Sequence, residues 1–155
     1  MDICLEAPEN LDMKMQVFSE VHYGGMELGE GEFTTLTLDE KVLVLTHGFI
    51  SSAGMDVDWM QHAVQTIQKA NRLGIGKRTT VILFNWSHVV SYQLNYNQTA
   101  ANSQVAARAL AKSMVVWKKY NPGLEIHLVG HSLGAHVMGQ ERAGNGLYLT
   151  REKYK

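Results

Sequence analysis

Cysteine is almost missing: Cys4 is the single thiol among 155 residues. The chain can therefore form no internal disulfide, and it offers no cysteine cluster for zinc. Charge of one sign is missing too. The formal net charge is −1, which gives no electrostatic case for nucleic acid or for an acidic membrane surface. No apolar run reaches the roughly 18 residues of a membrane span. The opening MDICLEAPENLD is acidic and lacks an apolar centre, so it does not read as a secretory signal. The expectation is an intracellular protein, or one whose leader is absent from this sequence. Only two prolines occur, and there is no internal repeat or low-complexity segment. The seven histidines are scattered without an H-E-x-x-H pair, so no metal site is expected. Gly74-Ile75-Gly76 precedes a strand where a dinucleotide fingerprint would follow one, and a third glycine is missing.

What is present is apolar mass. Hydrophobic residues make up 45% of the chain, enough for the core of one domain or of part of a larger one. The stretch that organises it is Glu125 to Met138, EIHLVGHSLGAHVM. Ile126, Leu128 and Val129 form a short apolar run, then comes Gly130-His131-Ser132-Leu133-Gly134, then Ala135, Val137 and Met138 continue as a helix. This is G-x-S-x-G between a strand and a helix, the nucleophile elbow. A serine on such a turn projects its hydroxyl above the sheet. Side chains at 130 and 134 would clash, and both positions are glycine. The helix that follows points its free N–H groups back at the reacting centre.

The rest of the chain alternates. Met13 to Val21 reads as a strand from the spacing of Met13, Met15 and Val17. Gly24-Gly25 marks a turn, and Phe33 to Leu38 reads as a second, more exposed strand. Lys41 to Thr46 is a continuous apolar strand of the kind covered on both faces. It ends in His47-Gly48-Phe49-Ile50. A helix capped by Asp56 or Asp58 follows, with Trp59, Ala63, Ile67 and Ala70 on one face and Gly74 at its end. Thr79 to Trp86 is the next buried strand. A loop holding His88 and Tyr92 leads to a helix over 97–120, with Ala106, Leu110, Ser113 and Trp117 aligned, closed by Asn121-Pro122-Gly123. The order predicts an α/β fold, a mostly parallel sheet with helices on both faces. Asn85-Trp86-Ser87 and Asn97-Gln98-Thr99 are formal glycosylation acceptors; Asn85 is discounted because it falls at a buried strand end.

With these segments in place the chain resembles the pancreatic lipase family of α/β-hydrolases, which includes pancreatic, lipoprotein and hepatic lipases and insect phospholipases A1. The likeness rests on Thr46-His47-Gly48-Phe49-Ile50, Trp59, Asn85-Trp86 in place of the family's Asp-Trp, Tyr96-Asn97-Gln98 with Asn102, and Gly130 to Gly139. Thr99 replaces an alanine of the family pattern. The resemblance implies a carboxylic ester hydrolase acting on triglyceride or phospholipid. Ser132 would be the nucleophile, and the backbone N–H groups of Phe49 and Leu133 the oxyanion hole. Gly48, Gly130, His131 and Gly134 would support the loops, with Gly48 letting the backbone approach the substrate. Trp86 and Tyr96 would line or support the site, or serve as plain aromatic core. It further implies no cofactor, a lipid ester substrate with a lipid interface, and an extracellular location.

The likeness covers residues 13–139, the family's N-terminal half, between a polar lead-in at 1–12 and a divergent charged tail at 140–155. The catalytic order in this fold is serine, acid, histidine. All five aspartates, Asp2, Asp12, Asp39, Asp56 and Asp58, precede Ser132, and no histidine follows Glu141 or Glu152. His47, His131 and His136 read as scaffold residues, not as the base. The sequence therefore reads as a truncated α/β-hydrolase, either a fragment or a short protein of weak turnover. Its last strand becomes a sheet edge open to pairing with a second copy. The alternative is a non-catalytic lipid-binding or yolk-storage-like protein on the same scaffold.

Overall fold

A computed structural model describes residues 13–48, 58–86 and 96–140. Five strands form one sheet: β1 (Lys14–Phe18), β2 (Met26–Gly29), β3 (Lys41–Thr46), β4 (Thr79–Asn85) and β5 (Glu125–Gly130), in the order β2-β1-β4-β3-β5. The helices are α1 (Asp58–Arg72), α2 (Tyr96–Tyr120) and α3 (Leu133–Gln140).

The apolar runs of the strands divide by the two-residue period of extended chain. Met15 and Val17 of β1, Val42 and Val44 of β3, Ile82 and Phe84 of β4 and Ile126 of β5 turn to one face. There they pack against Leu110, Met114 and Trp117 of α2 and Leu133, Val137 and Met138 of α3. Phe18, Leu45, Val81 and Leu83 turn to the other face and meet Met60 and Val64 of α1. Helices thus cover both faces, as the continuous Val/Leu runs predict. On α1 the predicted face is displaced by one position. Met60 and Val64 are fully buried, whereas Trp59, Ala63 and Ile67 flank them half-buried.

Two expectations are corrected. The sheet is mixed, not mostly parallel: β3 pairs parallel with β4 and β5, whereas β1 pairs antiparallel with both β2 and β4. Periodicity identifies β1 as a strand but carries no information on direction. The second is Phe33 to Leu38, which is not a strand. Residues Glu30–Thr35 form a 3-10 turn, and the pairing partner of β1 is the short β2 before it. The Glu32 carboxylate accepts the Gly29 N–H at 3.1 Å, opening the turn. Phe33 then inserts into the core, edge-on to Phe84 with ring centroids 6.1 Å apart. Its carbonyl accepts the Trp117 Nε1–H at 2.8 Å. Tertiary packing, not local alternation, decides that segment.

Among the described residues β5 has a paired neighbour on one side only. The N–H groups of Glu125 and His131 donate to the carbonyls of Glu40 and Thr46 in and beside β3. Alternation along a parallel strand then turns the backbone groups of Ile126 and Leu128 to the other side.

An ion pair between Lys77 and Glu125 ties the segment before β4 to the start of β5. The hydrogen bond between them raises the lysine pKa and lowers that of the carboxyl. Its stabilisation is therefore present around neutral pH. It is lost as pH falls through the lowered carboxyl value, and again as pH rises through the raised lysine value. Both side chains are about half exposed, so the effect is small and screened by salt. In urea unfolding, Glu125→Gln is expected to shift the midpoint slightly at low salt and not at all in concentrated salt. Leu110→Ala, which opens a cavity between α2 and the sheet, is expected to cost about 2–5 kcal/mol at any salt concentration.

Candidate active site

The three parallel strands end side by side. Thr46 of β3 lies opposite Phe84 of β4 and Gly130 of β5. Their C-terminal ends deliver His47-Gly48, Asn85-Trp86 and Gly130-His131-Ser132 to one edge of the sheet, where ligands of open α/β sheets bind.

The elbow takes the shape its sequence demands. Ser132 is exposed and has φ +55°, the one positive-φ residue other than glycine among the described residues. A left-handed conformation costs a side-chain-bearing residue about 1–2 kcal/mol, and such strain persists only where the surroundings impose it. They do so through close contacts. A methyl on Gly130 would overlap the Gly134 carbonyl and stand 2.7 Å from the Ala135 nitrogen. One on Gly134 would overlap the His47 carbonyl and stand 2.9 Å from the Thr46 side chain. The two elbow glycines thus serve different contacts: one seats α3 on β5, the other seats α3 on the end of β3.

Gly48 completes the set, and for a reason sequence reasoning missed. A methyl there would lie 2.7 Å from both the His131 carbonyl and the Ser132 Cβ. The missing side chain lets the β3 end lie against the elbow itself, whatever it also does for a substrate. The His131 N–H donates to the Thr46 carbonyl at 3.3 Å, and the His131 carbonyl accepts the Gly134 N–H at 2.9 Å. Ser132 and Gly48 are therefore held together by backbone packing. Leu133 is buried at the first position of α3. Such N-terminal amides have no partner within their own helix.

His47, 5% exposed, lies flat on Trp86, with ring centroids 5.5 Å apart and planes within 7°. Its Nδ1 is 3.0 Å from the Gly48 carbonyl, and its Nε2 is 3.2 Å from the Asn85 side-chain oxygen. The Trp86 Nε1–H donates to the His47 carbonyl at 3.3 Å. Trp86 is thus a supporting residue, 2% exposed. Asn85 itself is exposed, against the expectation of a buried acceptor, yet its amide is engaged by His47. The residue pattern that could have signalled this cluster is Asn-Trp at a strand end beside His-Gly at the next.

His131 and His136 are exposed. Phe49, Asp56, His88, Tyr92, Glu141 and Glu152 lie outside the described residues, as does the side chain of Tyr96. Among the described residues no cluster of three metal-ligating side chains occurs, and no helix is long and apolar enough to cross a membrane. A cleft of about 590 Å³ opens at the opposite end of the strands, lined by Asp39, Glu40, Lys77, Arg78 and Asn121 among others. Three of its four charged side chains are already engaged: Asp39 with Thr80, Lys77 with Glu125 and Arg78 with Glu20. It stands a strand's length, roughly 20 Å, from Ser132.

Because Ser132 stores backbone strain, Ser132→Gly should be more stable than Ser132→Ala by about 1 kcal/mol in urea unfolding. Gly134→Ala should lose about 1–3 kcal/mol or more through overpacking. Equal stability of the two Ser132 variants would contradict the strained elbow.

Comparison with known proteins fits this geometry. The family model described as Lipase matches residues 8–149. The chain is 33% identical over 117 residues to a phospholipase A1 from Vespa basalis, covering 70% of this chain and 36% of that protein. It is 27% identical over 142 residues to pancreatic lipase-related protein 2 from Rattus norvegicus, covering 86% of this chain and 28% of that protein. It is 28% identical over 111 residues to a human protein named inactive pancreatic lipase-related protein 1, covering 70% of this chain and 22% of that protein. The chain therefore spans about a third or less of the length of these curated relatives. With the strained serine turn, the glycine contacts that seat it and a family match over most of its length, the chain belongs to the Lipase family of α/β-hydrolases.

Proposed function

We propose that residues 13–139 carry the nucleophile-bearing half of a lipid ester hydrolase of the triglyceride lipase or phospholipase A1 type. The observation that carries the reading is Ser132 at φ +55°, exposed at the C-terminal edge of the sheet and pressed against Gly48. In this reading the Ser132 hydroxyl loses its proton to a base and its oxygen adds to the ester carbonyl. The tetrahedral oxyanion is held by the N–H groups of Leu133 and Phe49. Collapse expels the alcohol and leaves an acyl-serine, which water hydrolyses to a fatty acid, restoring the hydroxyl. The chemistry uses side chains, backbone and water, and calls for no cofactor.

The acid and the base of the triad are not supplied by the residues after Ser132, where the serine–acid–histidine order would put them. Removal of triad members from a serine hydrolase leaves roughly 10³–10⁴ over water from oxyanion hole and binding. Turnover by these 155 residues alone is accordingly expected to be weak, with full activity belonging to a longer polypeptide or an added partner. Among the described residues β5 is paired on one side only, which supports a second element of the proposal. Backbone groups of Ile126 and Leu128 are presented to a further strand, and in this chain a second copy would provide it. A lipid–water interface as the working surface and an extracellular location follow from the family likeness. A second reading, a non-catalytic lipid-binding or yolk-storage-like protein, draws support from the relative named inactive.

Covalent labelling with a fluorophosphonate probe, read by intact mass, separates the two readings. One adduct on the folded chain, lost in Ser132→Ala, is expected if the serine is activated; no adduct on a folded chain favours the binding protein. Light scattering is expected to show a dimer or larger assembly, and a clean monomer would remove the β5 pairing from the proposal.

A further inference from the structure

The charges of this chain balance in total but not in space. The formal net charge is −1, with 14 basic residues against 15 acidic ones. Helix α2 holds Arg108, Lys112, Lys118 and Lys119, and over its 25 residues not one aspartate or glutamate. α3, which covers the same face of the sheet, has no acidic residue either. Lys118 turns back to the carbonyls of Pro122 and Leu124 and closes the end of α2. The other three cations are exposed, as is Val115 between them. At 3.6 residues per turn Arg108, Lys112, Val115 and Lys119 fall within about 60° of one another, in a stripe roughly 16 Å long. The stripe lies opposite Leu110, Met114 and Trp117, the residues α2 buries, so it faces straight outward. Ion pairs of the described residues lie elsewhere, at Lys14–Glu27, Lys77–Glu125 and Arg78–Glu20. The 3-10 turn packed against α2 brings Glu30 and Glu32, and Glu32 accepts the Gly29 N–H.

Like charges one turn apart on a helix repel, and no acidic residue of α2 relieves Arg108 and Lys112. An anionic surface laid along the stripe does so. We propose that the outer face of α2 is a docking surface for an anionic phospholipid layer, with Arg108, Lys112 and Lys119 against headgroup phosphates and Val115 between them against the upper acyl chains. Long cationic side chains reach the headgroup level while their stems and a neighbouring apolar residue enter the boundary below it. The exposed valine in the middle of the stripe favours lipid over a purely ionic polyanion, which offers it no apolar contact. The position in the fold favours it too. α2 and α3 pack side by side on one face of the sheet, and Ser132, exposed, immediately precedes α3. A lipid layer lying on α2 therefore borders the sheet edge that carries Ser132. The balanced net charge hides this footprint because the acidic residues are placed on other elements. The inference deepens the reading of a lipid ester hydrolase and rests on it for the purpose of docking, but the binding itself requires no ester cleavage.

The experiment is co-sedimentation of the full chain with vesicles of pure phosphatidylcholine and of phosphatidylcholine mixed with phosphatidylserine. Binding to the mixed vesicles is expected, weakened by concentrated salt as surface charge is screened. No binding, or equal binding to both vesicles, would overturn the inference. The triple variant Arg108→Gln, Lys112→Gln, Lys119→Gln should bind the mixed vesicles roughly 100-fold less tightly. A control triple variant on the other side of the sheet, Lys69→Gln, Arg72→Gln, Lys77→Gln, changes the net charge equally and should bind as the wild type does. Equal loss in both would overturn the placement on α2. Retention on heparin without vesicle binding would identify a polyanionic partner and overturn the lipid. A measurement without variants decides the same point should they not fold. In amine-reactive labelling of the wild-type chain, mixed vesicles should protect Lys112 and Lys119 and leave Lys69 and Lys77 open; uniform protection would overturn the placement. Fluorophosphonate labelling of Ser132 without vesicles should proceed equally in the wild type and the α2 variant. A wild-type chain unlabelled at Ser132 fails the proposed function separately, and the vesicle result stands on its own.

Discussion

The contact between the end of β3 and the serine turn is the constraint from which the rest of the site follows. Gly48 lies where any side chain would strike the Ser132 Cβ, and Gly134 lies where one would strike the His47 carbonyl. Three glycines remove three side chains so that two backbones and a helix can meet. The penalty of a left-handed serine is borne by that packing, since the turn cannot relax without driving α3 into β3. A serine held this way stays exposed outside the core while its carbonyl accepts the Ala135 N–H at 3.0 Å.

The sheet supplies the stiffness that the contact needs. β3 is the middle one of the three parallel strands, hydrogen-bonded to β4 on one side and β5 on the other, so the strand ends that deliver His47, Trp86 and Ser132 cannot move independently. Apolar side chains on both faces bind the sheet to α1 below and to α2 and α3 above. The His47–Trp86 stack then joins the β3 and β4 ends beyond the last ladder bond, where backbone pairing no longer holds them. Rigidity at this edge is what a preorganised oxyanion site requires, because donors that reorganise during reaction lose most of their electrostatic advantage.

The same architecture leaves β5 with a neighbour on one side among the described residues. The strand that leads into Ser132 is thus the outermost of the parallel set among the described residues. Whatever adds to that edge would touch the strand on which Ser132 is mounted.

Much of this was legible in the sequence. The bounds of β3 and of the strand into the elbow followed from continuous apolar runs ended by glycine-bearing turns. The aligned face of α2, Ala106, Leu110, Ser113 and Trp117, is buried as its spacing requires. The elbow, too, was written locally, because strand, tight turn and helix are contiguous and each glycine has a steric reason within a few residues. What the sequence could not decide were relations between distant segments. Phe33 sits in a 3-10 turn because Trp117, far along the chain, bonds its carbonyl. β1 runs antiparallel because β2 and β4 receive it so, and apolar spacing has no direction. Gly48 is needed for its contact with Ser132, and Asn85 matters through His47; neither neighbour is near in sequence. Local periodicity and turn chemistry are properties of short windows, whereas strand direction, side-chain stacking and close backbone approach exist only once the chain has brought its ends of strands together.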